Sequence, residues 1–271
     1  MLLCMPKHDS IRTALTIARL AARSITERVL PQFIAFLCTI VTLYGLFTVY
    51  GSSISTGSVN DMGLAAVLWS LSMYSIYWGV GSRYIFRDIS DDVKDGSIEL
   101  RLVKPVHYLV WRVAHRLGRQ IPMFGQQILV NSVFLMLYIG FPDIVVTPEW
   151  VMTVLGLFIV GITISLALYV AVGLCAFWID NPLPVMWIVE KFVMIIGGAF
   201  VPIALFPSVL KSVVEWSPFG AMLAFSQAFT PNFLEHAPRL FASQLLWLLV
   251  MYGLVAIMWH MALRRVAING G

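Results

Sequence analysis

The chain has 271 residues, of which 59 % are hydrophobic and only 12 % charged, with a mean hydropathy of +0.86. A soluble domain carries about 25 % charged residues, and a globule this apolar could not cover itself with polar surface, so lipid is the expected solvent. The net charge of +4 would suit a nucleic-acid partner, but membrane sidedness accounts for it, and no nucleic acid is expected.

The first long apolar run begins only near residue 31, so no cleavable signal peptide is expected. Cys4 has no apolar run before it and does not read as a lipoprotein cleavage site. Cys38 and Cys175 lie in apolar runs, which indicates neither a disulfide framework nor a metal site. Over residues 10–30, Ile11, Leu15, Ala18, Ala22, Ile25 and Val29 recur at helical spacing, within about 40° of one line. Arg12, Arg19 and Arg23 cluster at the flank of that stripe. There their stems can lie on lipid while the guanidinium groups reach phosphates. The segment reads as an amphipathic interfacial helix; a soluble helix packed on a partner is the alternative.

A helix needs about 20 apolar residues to cross about 30 Å of hydrocarbon. Residues 31–50, 62–81, 121–141, 151–179 and 240–263 meet that requirement. A sixth candidate, 183–206, contains Glu190 and Lys191, then Gly197, Gly198 and Pro202. It is expected to be bent or partly re-entrant, because irregular backbone persists at membrane depth only where protein or water satisfies it. Residues 207–239 read as short helices at or dipping into the outer interface.

Six spans put the basic residues of the N-terminal segment, of residues 83–119 and of the C-terminal tail, together with Lys191, on one face. Of the 18 Lys and Arg, only Lys211 and Arg239 fall elsewhere. Lys and Arg accumulate on the cytoplasmic side, so both termini are expected in the cytoplasm of a multi-pass protein of the cytoplasmic (inner) membrane. Trp78, Trp150, Trp178, Trp216 and Trp259 lie near predicted span ends, as an aromatic belt would.

Residues 83–119 form the one large polar segment. Asp88 or Ser90 can cap a short helix that Gly96 stops, and the acids of its first turns suit the helix dipole. In SIELRLVKP, Ile98, Leu100 and Leu102 alternate with Glu99, Arg101 and Val103 until Pro105 ends the run. HYLVWRVAHRLGR then reads as a second surface helix with Arg112, Arg116 and Arg119 along one stripe. A loop that served only to hold topology would need bases, but not five acids, a helix stop and a terminating proline.

The run DDVKDGSIELRLVKPV resembles the segment after the second span in permeases of type-two ABC transporters, the class that exports drugs, lipids and polysaccharides. There an acidic turn, a glycine and I-x-x-x-L-x-[KR]-P recur. Here Asp91, Asp92, Asp95, Gly96, Ile98, Leu102, Lys104 and Pro105 stand at those positions. EKFVMIIGGAFVPIALFP is similar to that family's fifth span, and the Pro-Phe pair of EWSPFGAMLAF to its outer re-entrant segment before the last span.

The resemblance implies an all-α integral membrane protein with one permease domain over residues 1–271. Its expected parts are six transmembrane helices, an interfacial helix, a cytoplasmic coupling helix between spans two and three, and an outer re-entrant segment. It also implies docking of Arg87–Gly96 in a groove of a separate ABC ATP-binding subunit, and pairing with a second permease subunit. Arg87, Asp88, Asp91, Asp92, Lys94, Asp95, Gly96, Glu99, Lys104 and Pro105 are the expected coupling residues.

No G-x-x-x-x-G-K-[ST] loop occurs, so this chain is not expected to hydrolyse ATP. ATP and Mg would sit on the partner, and the chain itself would need no cofactor. Glu190 and Lys191 remain as a possible intramembrane charge, which marks a functional candidate. A snorkelling pair at the inner interface is the plainer alternative. The isolated histidines show no metal-ligand spacing, and no catalytic constellation is visible. Two rival readings are an ion-coupled secondary transporter, which would show internal repeats and several buried charges, and a membrane scaffold that recruits a soluble partner through residues 83–119.

Overall fold

Long apolar runs leave the backbone no partner but itself in lipid, so the chain is helical wherever it is oily. The computed structural model describes residues 12, 15–19, 29–55 and 63–269, and among these no strand occurs. In chain order the helices are α1 (Val29–Ser55), α2 (Leu64–Val80), α3 (Ile85–Lys94), α4 (Ser97–Leu102), α5 (Tyr108–Tyr138) and α6 (Pro148–Leu174). They continue with α7 (Leu183–Ile196), α8 (Ser208–Glu215), α9 (Pro218–Met222) and α10 (Phe233–Asn269). Thr147 caps α6 by accepting from Trp150 N at 3.1 Å, with Pro148 in the first turn, where its missing N–H costs nothing.

Four stretches are long and apolar enough to cross a membrane: Leu64–Lys94, Tyr108–Tyr138, Pro148–Phe177 and Phe233–Arg265. The apolar part of α1, Phe36–Ser52, is shorter. Helix α7 has 14 residues, about 21 Å at 1.5 Å per residue. The expected span 183–206 is thus a short helix that gives way at Gly197–Gly198 to turns around the buried Pro202 and Ile203. The Tyr50 hydroxyl of α1 donates to the Phe200 carbonyl, which supplies a partner to this irregular backbone.

One expectation is corrected. The surface helix read over 107–119 and the span read over 121–141 are one 31-residue helix, α5. Pro122 removes one rung of the hydrogen-bond ladder without ending it. The alternation over residues 98–103 leaves the type of element open. Residues 97–102 are α4, because Gly96 closes one helix and opens the next.

Helix α6 is the central post. Helices α3, α9 and α10 and the turn Ala224–Phe229 all pack on it. Gln127 of α5 ties three helices together inside the apolar region. Its side-chain oxygen accepts from Thr39 of α1 at 3.0 Å and from Ser75 of α2 at 3.3 Å. Such interhelical bonds hold helices in lipid, where apolar contact gives no preference for protein over lipid.

At the end where α8 and α9 lie, Glu215 is buried between the two bases left over from the sidedness count. Lys211 stands 3.9 Å and Arg239 3.5 Å from its carboxylate. Their charges are therefore compensated locally. Of the expected interfacial helix, Arg12 and Arg19 are exposed, while Arg23 lies outside the described residues. Ala18 runs so close to α5 that a Cβ on Gly118 would collide with its backbone.

Candidate functional site

Helix α3 has two unlike faces. Ile85, Phe86 and Ile89 are buried and pack with Tyr169, Val170, Val172 and Leu174 of α6 and Met186 of α7. Arg87, Asp91, Lys94 and Asp95 are exposed and recur at i, i+4, i+7 and i+8, which is one face of a helix. Gly96 ends α3 with φ 68°, a left-handed conformation that a side chain would strain, and its N–H donates to the Val93 carbonyl at 3.3 Å. The chain then turns straight into α4. Glu99, Leu100, Val103, Lys104 and Pro105 continue the exposed surface, Leu100 at 76 % and Val103 at 87 %. The result is a ridge of mixed charge ending in an apolar tip.

The ridge stands on a charged brace. Asp92 is only 3 % exposed. Its carboxylate accepts from Tyr108 Oη at 2.7 Å, Arg112 Nε at 2.6 Å and Ser97 Oγ at 3.1 Å, and Arg101 Nε lies 3.3 Å away. Burial alone would raise this carboxyl. The hydrogen bonds from Arg112 and Tyr108 and the charges of Arg112 and Arg101 win, and hold it below the usual range. One turn earlier Asp88 takes Arg116 as a two-pronged pair, with Arg116 Nε to Oδ2 at 2.6 Å. Tyr108 stacks on Trp259 with ring centroids 5.6 Å apart, so α10 joins the same assembly.

The predicted site residues therefore divide. Arg87, Asp91, Lys94, Asp95, Gly96, Glu99, Lys104 and Pro105 share the exposed ridge. Asp88 and Asp92 turn inward and fix α3 to α5. Sequence reading missed Tyr108 and Arg101 as partners of Asp92. The stripe of Arg112 and Arg116 was visible, and its one-turn spacing matches that of Asp88 and Asp92.

Glu190 of α7 stands 3.7 Å from Arg83, which lies in the turn between α2 and α3. The Arg83 guanidinium also lies over the Trp78 ring, 3.4 Å from its centroid. Lys191 points away and is exposed. The root of the ridge is thus linked to α7 as well as to α6. Reversing Glu190 to Lys should weaken thermal stability by about 1 kcal/mol, since the pair retains some solvent contact. The swap Arg83→Glu with Glu190→Lys should recover most of it. A double variant as weak as the sum of the two singles would show that the pair carries no coupling energy.

Among the described residues no group of three or more His, Cys, Asp or Glu comes together that could hold a metal ion. The arrangement is a stiff, exposed ridge attached to apolar helices long enough to cross a membrane.

No curated protein matches the sequence. The sequence profile of the ABC-2 family transporter proteins matches residues 36–270, which takes in α2 to α10 and residues 36–55 of α1. Members of that family are the membrane subunits of transporters whose ATP-binding subunit is a separate partner. This multi-pass membrane protein belongs to the ABC-2 transporter family.

Proposed function

We propose that the chain is the permease subunit of an ATP-driven exporter, and that the ridge of α3 and α4 is the handle gripped by the ATP-binding subunit. ATP and Mg sit on that partner. A second permease subunit, a copy or a homologue, pairs with this one to frame the path. The chain crosses the cytoplasmic membrane six times, counting α7 with the turns that follow it as one crossing. The interfacial helix lies on the inner leaflet, and residues 207–232 form the outer re-entrant segment.

The observation that carries this reading is the ridge itself: exposed charges and an apolar tip on a base that is buried and ion-paired. A flexible loop could be bound but could not transmit a push. Here displacement of Asp91 or Asp95 must move α5 through the Asp88 and Asp92 pairs, and α6 through Ile89.

Sidedness gives the first test. In a background with the native cysteines replaced, Asp95→Cys should react with a membrane-impermeant maleimide only in inside-out vesicles. Asp143→Cys, an exposed position between α5 and α6, should react in intact cells. Labelling of residue 95 in intact cells would remove the cytoplasmic handle.

A further inference from the structure

A cavity of about 210 Å³ opens between the described part of the interfacial segment and the start of α5. Ile17, Pro105, Val106 and Trp111 make its apolar wall, and Arg101 and Lys104 supply charge. Positive charge is in excess there. Asp92 is shared between Arg112 and Arg101, and among the described residues Lys104 has no ion-pair partner. The buried Nε of Arg101 has no hydrogen-bond partner. Three cations surround one indole: Arg101, Arg112 and Lys104 lie 4.7, 4.9 and 5.7 Å from the Trp111 ring centroid. Beside the cavity, Leu15 is 65 % exposed and Arg12 and Arg19 are exposed on the same short helical stretch.

We propose that this cavity binds the headgroup and upper acyl chain of an anionic phospholipid. The phosphate faces Arg101 and Lys104, and the chain lies against Ile17, Val106 and Trp111. The apolar wall of Ile17, Pro105, Val106 and Trp111 suits an amphiphile better than a wholly polar acidic peptide. Basic pockets at the membrane surface select anionic headgroups in this way. Arg87, Asp91 and Asp95 do not line the cavity, while Lys104 and Pro105 line it and also end the ridge, so the lipid would adjoin the surface offered to the ATP-binding subunit at that end alone. The inference rests on the proposed function only for which leaflet supplies the lipid.

The test uses the full chain in phosphatidylcholine vesicles, with brominated phosphatidylglycerol or brominated phosphatidylcholine as quencher. The fluorescence difference between the parent and Trp111→Phe isolates Trp111. Half-quenching should need about five-fold less brominated phosphatidylglycerol than brominated phosphatidylcholine. Lys104→Gln, at an exposed position, should remove that preference without changing thermal stability, and Val106→Phe should fill the cavity and reduce quenching by both lipids.

Equal quenching by the two lipids, or an unchanged preference in Lys104→Gln, would overturn the proposal. So would displacement by soluble glycerol phosphate, which would assign the cavity to a free anion. Sidedness labelling is scored separately. If it fails while the lipid preference persists, the exporter reading falls and the lipid site stands.

Discussion

The Asp92→Ala variant unfolds about 3–5 kcal/mol more readily than its parent, because it strips one side from a buried ion pair. Arg112 and Tyr108 are both buried and both donate to that carboxylate. Alanine leaves a cation and a hydroxyl with no acceptor and no water, and the cost of a stranded charge dominates. Asp92→Asn keeps an acceptor but loses the charge, so it should fall between the two.

Acid should act in the same direction. The folded carboxyl sits below its ordinary value of 3.8. Its contribution is therefore complete above that value and lost only as pH falls through the lower folded value. Thermal unfolding in detergent at pH 7 and at about pH 3 checks both statements. An Asp92→Ala protein with parental stability would show that the brace carries no load.

The Asp91→Arg, Asp95→Arg double variant has the opposite profile. Both side chains are exposed and neither has an ion-pair partner among the described residues. Surface changes of this kind stay within about 0.5 kcal/mol in stability. Binding to an ATP-binding subunit should nevertheless fall about ten-fold or more, because like charges placed across an interface are penalised and steering is lost. Nucleotide hydrolysis by the partner should lose its stimulation by the membrane subunit. Co-purification and hydrolysis assays on the assembled complex, beside a thermal scan of the chain alone, read out both halves. Together the two variants separate a residue that holds the ridge up from residues that face outward.

The sequence made that separation only in part. Gly96 was legible as a helix stop because a left-handed turn admits few other residues, and the structure gives it φ 68°. Asp91 and Asp92 look alike in sequence, as neighbouring acids in one run. Which of them is buried depends on where Arg112 and Tyr108 arrive from α5, sixteen to twenty residues later. That is tertiary information.

The alternation over residues 98–103 left the element type open for a related reason. Six residues are too few to tell period 2 from period 3.6. The glycine before them, and the packing of Ile98 beneath, decided for a helix. A surface helix ending at Arg119 and a span beginning at residue 121 read as two elements, yet α5 runs through both, Pro122 included. Lys211 and Arg239 looked like exceptions to the sidedness rule until Glu215 was found between them. The family motif located the ridge but could not say which of its residues are free to touch a partner.

One measurement bears most directly on the ridge as a handle. A photo-crosslinking residue placed at Asp91 or Asp95 in the intact assembly should capture the ATP-binding subunit, while the same residue at Asp143 should not. Equal yields from both ends, or capture of that subunit from residue 143 alone, would contradict the account.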